Sequence, residues 1–186
     1  LFAITADYDL NLMKPGQTLS YLTASILNEL KPILTTESPD MILVHGDTTT
    51  AFAAALSAFY EQIPIGHVEA GLRTKNKYSP YPEEMNRTLI GQLADLHFCP
   101  TIGNRDNLVR EAITETQLVI TGNTVIDALL MAVREDYHFE NPILNAIDYS
   151  NKRVILLTCH RRENIGAPMT QIFAAIRAMV LANPDV

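Results

Sequence analysis

The 186-residue chain has no tryptophan and only two cysteines, Cys99 and Cys159. Two thiols exclude a disulfide scaffold and a four-cysteine metal site, and a reduced, cytoplasmic setting is the expectation. Positive charge is scarce too. Lys and Arg number 14 against 21 Asp and Glu, a net charge of −7. No basic stripe is present to neutralise phosphates, which argues against a nucleic-acid partner or an anionic membrane. The uncharged run from Thr48 to Tyr60 is too short to span a bilayer. Glycine-rich phosphate loops of the GxGxxG and GxxxxGKS/T forms are missing. Disorder is excluded by the composition, 47% hydrophobic and 19% charged.

What is present is alternation. Residues 17–34 carry Leu19, Leu22, Ile26, Leu27, Leu30 and Ile33 at helical spacing, with Thr18 or Ser20 as a cap. A turn at Ser38-Pro39-Asp40 leads into the short apolar run 41–45, the pattern of a buried parallel strand. A helix is predicted over 48–60 and a strand over 63–68. Helices over 82–93, 102–112 and 124–134 alternate with strands at 96–98 and 118–120. This is an α/β fold with a doubly wound, mostly parallel sheet. The pattern breaks over 136–152, then resumes with a predicted strand at 153–158 and a helix at 168–181. Residues 1–122 are read as a first domain, 123–150 as a linker and 151–186 as the start of a second. The chain opens without Met and stops at Asn183-Pro184-Asp185-Val186, the way an α/β protein enters its next strand. An internal piece of a longer protein is the expectation.

Ligands of open α/β sheets bind beyond the carboxyl ends of the strands. Those ends read His45-Gly46-Asp47-Thr48, His67-Val68-Glu69-Ala70-Gly71-Leu72-Arg73, and Thr158-Cys159-His160-Arg161-Arg162-Glu163. Asp47 is either a helix cap or a site carboxylate. Glu69 suits proton transfer, unless it is neutralised by Arg73. Glu83 follows a loop stiffened by Pro80 and Pro82, and its plain alternative is a surface pair with Arg87 four residues on. His160-Arg161-Arg162 is an anion site, or surface charge balanced by Glu163. His45 and His97 read as satisfied, partly buried histidines, and Cys159 as a packing residue. Three function classes fit these residues. They are proton transfer on a phosphate-bearing substrate, a metal-dependent hydrolase using His45, Asp47, His67 and Glu69, and a non-catalytic nucleotide-binding piece.

Five segments carry a resemblance. His45 to Thr50, Gly66 to Thr74, Pro82-Glu83-Glu84-Met85-Asn86-Arg87, Thr121 to Leu129 and Thr158 to Asn164 together resemble the non-hydrolysing UDP-N-acetylglucosamine 2-epimerases. The His-Gly-Asp-Thr-Thr form is similar to that branch rather than to the hydrolysing one, which releases free N-acetylmannosamine. The resemblance implies two Rossmann-like domains of the glycosyltransferase-B type, the first lacking its start and the second truncated, with the active site between them. It implies a homodimer and interconversion of UDP-N-acetylglucosamine and UDP-N-acetylmannosamine without metal or other cofactor. The route is elimination of UDP to 2-acetamidoglucal and re-addition. By motif position Asp47, Glu69 and Glu83 resemble the catalytic carboxylates, and His160 the histidine beside the diphosphate. The resemblance also implies substrate contacts at Arg87 and Arg161, and Gln17 falls in a segment that lines an allosteric site in some members of the family. The family's uridine contacts lie beyond Val186, so the piece alone is expected to be inactive.

Overall fold

The computed structural model describes residues 2–159 and 164–186, and the chain divides into two compact units after Val133. The first unit opens with α1, Leu19–Glu37. Thr18 caps it, its hydroxyl accepting from the Tyr21 N–H at 3.1 Å. The helix runs three residues past the predicted end, through Pro32. The Thr35 and Thr36 hydroxyls donate to the Lys31 and Pro32 carbonyls, and Ser38 closes it in a left-handed conformation just before Pro39. Ile26 and Leu34 are its buried contacts.

The sheet follows: β1 (Ile42–His45), β2 (Ile65–Val68), β3 (Leu96–Cys99) and β4 (Leu118–Ile120), all parallel and in sequence order. Connecting them are α2 (Thr49–Tyr60), α3 (Glu83–Leu93) and α4 (Ile102–Arg110), with a 3-10 turn at Glu115–Gln117. Small residues let α2 lie close to the sheet. Ala51, Ala55 and Ala58 pack with Val44, Ile65, Ile90, Ala94 and Leu34 as the main core. A second cluster, Ala70, Cys99 and Leu108, fixes α4. α5 spans Thr124–Ala132, capped by the Asn123 side chain, and ends two residues before the predicted Arg134. α4 likewise stops at Arg110, because Ala112 takes a left-handed turn conformation.

The second unit holds a short helix α6 (Pro142–Asn145) in the region read as patternless, and α7 (Ala167–Ala182). The strand predicted over 153–158 is not formed. A strand exists through its ladder of inter-strand hydrogen bonds, and no other extended segment among the described residues of this unit lies beside it. Leu156 is accordingly 95% exposed. Arg153 instead pairs with Asp185 through its guanidinium and its backbone N–H. Among the described residues no helix is long and apolar enough to cross a membrane.

Candidate active site

The parallel register makes two strand ends level. His45 lies opposite Val68, so the segments leaving β1 and β2 emerge side by side. At β1 the chain turns at Gly46 (φ +70°), whose N–H donates to the Val68 carbonyl at 3.0 Å. The Gly46 carbonyl meets the buried His67 Nε2 at 2.8 Å, and the Asp47 carbonyl accepts from the Asn86 amide at 2.8 Å. Asp47 is therefore held by its backbone on both sides. It is not the cap of α2. That role falls to Thr48, whose hydroxyl accepts from the Ala51 N–H at 3.1 Å. The Asp47 carboxylate is left for other work, with the Arg87 Nε 3.4 Å from its Oδ2. Burial pushes the Asp47 carboxyl above the usual carboxylate range, Arg87 opposes the shift, and the charges of Glu83 and Glu69 add to it. The charges of Glu83 and Glu69 thus both reach the Asp47 carboxyl.

Glu69 sits at the exit of β2 in the left-handed region, φ +66°. For a residue with a long side chain that conformation is strained, of order 1–3 kcal/mol, and such strain gathers at functional sites. Arg73 does not neutralise it. The buried Arg73 makes a two-pronged contact with Glu111, Nε to Oε1 at 2.7 Å and Nη2 to Oε2 at 2.8 Å. The partner of Glu69 is His45, Nε2 to Oε2 at 3.1 Å. Behind Glu69, Gly71 (φ +86°) touches α4 so closely that an added Cβ would lie 2.2 Å from the Asn104 carbonyl oxygen.

Glu83 opens α3, with Pro82 at the position before it and no side-chain cap. Its expected pair with Arg87 is not made through the carboxylate. The Arg87 Nε donates to the Glu83 backbone carbonyl at 3.4 Å, while Glu83 Oε2 is buried with no hydrogen-bond partner among the described residues. A buried carboxylate oxygen without a partner is costly, and it marks a group kept for a ligand or a proton. Arg87 itself is buried and lies between Asp47 and Glu84, 3.3 Å from Glu84 Oε2. Burial would raise the Glu84 carboxyl. The Thr74 and Lys75 backbone N–H groups, both 2.9 Å from Oε1, and Arg87 outweigh that and hold it below the usual range. Glu84 is thereby a structural anion that ties the loop before α3 to the helix.

His67 and His97 face each other across β2 and β3, both fully buried. Burial pushes the His67 imidazole down to about 4 and lowers His97 as well, with Arg73 repelling the charged form of each. The metal-site reading of His45, Asp47, His67 and Glu69 finds no support in this arrangement. His67 belongs to the buried side of the sheet and is engaged by Gly46, while His45 is engaged by Glu69. No group of three or more His, Cys, Asp or Glu among the described residues converges for a metal. Gln17 staples its own loop, donating to the Leu12 carbonyl and accepting from the Lys14 N–H. His160 and Arg161 lie outside the described residues. Sequence reading missed three positions: His45 as the partner of Glu69, Asn86 as a clamp on Asp47, and His67 as a clamp on Gly46. Only the strand register, which aligns His45 with Val68, could have pointed to the first.

Comparison with known proteins bears on this site. The family model described as UDP-N-acetylglucosamine 2-epimerase matches residues 1–186. A relative of that description from Clostridium acetobutylicum is 58% identical over 186 residues, covering all of this chain and 48% of the relative. A crystal structure from Listeria monocytogenes superposes with a TM-score of 0.91 at 51% identity, over 98% of this chain and 47% of its own. The Neisseria meningitidis UDP-GlcNAc 2-epimerase, solved bound to UDP-GlcNAc, gives 0.86 at 46% identity, over 98% of this chain and 50% of its own. These neighbours are of the glycosyltransferase-B type. The chain spans about half the length of the curated relatives it matches.

Proposed function

The chain belongs to the UDP-N-acetylglucosamine 2-epimerase family, and from that premise we propose that it forms part of the active site of a non-hydrolysing epimerase. The reaction is the reversible C2 inversion of UDP-N-acetylglucosamine to UDP-N-acetylmannosamine. One observation carries the reading. The charges of Glu69 and Glu83 both reach Asp47 at the strand ends, and none of the three is used up by the local structural role available to it.

Inversion at C2 by elimination and re-addition calls for groups of this kind. A carboxylate takes the C2 proton, its electron pair forms the C1–C2 double bond, and the C1–O bond to UDP breaks. 2-Acetamidoglucal and UDP result. A diphosphate oxygen then adds back to C1 while a protonated carboxyl delivers a proton to the opposite face of C2. Two carboxyls are needed, one to take the C2 proton and one to return it on the opposite face. Asp47 is pushed upward and clamped by its backbone, whereas Glu69 is aimed by a strained backbone and an imidazole. Arg87 contributes by orienting the Asp47 carboxylate. On the same reading His160 and Arg161 serve the diphosphate, the enzyme is a cytoplasmic homodimer, and the chain alone lacks the uridine contacts for turnover.

The test is an assay of the full-length enzyme containing this chain, supplied with UDP-N-acetylglucosamine in deuterated water. UDP-N-acetylmannosamine carrying deuterium at C2 is the expected product. Release of free N-acetylmannosamine would assign the hydrolysing branch instead, and no interconversion would refute the proposal.

A further inference from the structure

We propose that His45 is the positioning residue of Glu69, holding its carboxylate in the orientation from which it exchanges a proton with substrate. The inference rests on the epimerase reading above and adds to it a residue that the carboxylate motif does not contain.

The argument starts at the sheet. Level strand ends put the last residue of β1 across from the last residue of β2. One step further, the chain at Glu69 turns left-handed, φ +66°. This turn brings the Glu69 carboxylate back over the end of β1, where His45 Nε2 stands 3.1 Å from Oε2. The pair is an imidazole nitrogen within ion-pair reach of a carboxylate oxygen. Arg73, the one cation near in sequence, is committed to Glu111. Among the described residues, His45 is the only hydrogen-bonding or ionic partner of the Glu69 carboxylate. Without it Glu69 keeps a strained backbone but loses the contact that selects a rotamer. The side chain of His45 is 61% exposed. It carries little of the core, so its position answers to the carboxylate rather than to packing.

His45→Leu and His45→Gln in the full-length enzyme test this, because the Gln amide nitrogen takes the place of Nε2. His45→Leu should lower kcat about 10–100-fold through loss of the close imidazole–carboxylate contact, with KM within about twofold of the parent. His45→Gln should return kcat to within about threefold of the parent. In a Glu69→Gln background His45→Leu should change kcat less than about threefold, since a residue acting through Glu69 has nothing left to position. An equal loss in both backgrounds, or a rise in KM with kcat unchanged, would make His45 a direct substrate contact and overturn the proposal. A second readout needs no turnover. In the full-length enzyme, nuclear Overhauser contacts between the His45 ring and the Glu69 γ-protons and a single Glu69 χ1 rotamer are expected. They should be replaced by rotamer averaging in His45→Leu. Averaging in the parent chain overturns the positioning role. An ordered Glu69 in an enzyme without epimerase activity would strike the functional reading alone.

Discussion

Lowering the pH from about 7.5 to about 5 should weaken the fold through His67. This imidazole is fully buried and its proton affinity is pushed down to about 4, from 6.5 for an ordinary histidine. The native state therefore refuses a proton that the unfolded chain accepts. Its stability contribution is complete above the unfolded value and is lost as pH falls from about 6.5 toward about 4. The full shift of about 2.5 units corresponds to about 3 kcal/mol, of which about 2 kcal/mol is gone by pH 5. His67→Gln isolates this effect, because Gln keeps an N–H donor for the Gly46 carbonyl but does not titrate. Urea unfolding of parent and variant across that range is the assay. His97 acts in the same direction, Glu84 only in the lower carboxylate range, and Asp47 in the opposite sense, but all three are common to both proteins. The stability difference between parent and variant should move by about 2 kcal/mol against the parent on acidification. A difference that stays flat across the range would refute the account of His67 as a buried neutral clamp.

Four further outcomes follow from the site geometry. Gly71→Ala should destabilise by at least about 2 kcal/mol in a denaturant titration, because it combines a positive φ with a Cβ 2.2 Å from the Asn104 backbone oxygen. Arg87→Met strands Asp47 and Glu84 in the interior without a cation, and should cost about 3–5 kcal/mol by the same measurement. Thr48→Ala should cost about 1 kcal/mol as a lost helix cap. Asp47→Asn should cost less stability than that, yet reduce turnover of the full-length enzyme by ~10²–10⁴-fold.

The sheet was legible because its strands are short apolar runs with turn residues at both ends, and buried parallel strands leave that trace. The predicted strand at 153–158 has the same trace, Val154-Ile155-Leu156-Leu157, and fails as a strand. Apolar composition records that a segment can enter a sheet, and the ladder must come from elsewhere in the chain. The carboxylates were legible by type and position. Their partners were not. Arg73 is four residues from Glu69 and Arg87 four from Glu83, but the pairs formed are Arg73–Glu111 and Arg87 with Asp47 and Glu84. Sequence spacing finds partners within one helix, as with Arg87 and Glu84, whereas the pairs with Glu111 and Asp47 are set by which strand end meets which helix. His45 and Glu69, 24 positions apart, meet only because β1 and β2 are in parallel register.

The left-handed backbone at Glu69 has a consequence for how this segment can change. Glycine would fit that conformation with less strain than glutamate does, so Glu69→Gly removes a conformational burden of about 1 kcal/mol. Selection for folding alone would favour the glycine, and selection for chemistry opposes it. The two pressures meet at a single codon. A library screened for expression or heat resistance without an activity filter should therefore enrich glycine at position 69, and in doing so discard the carboxylate.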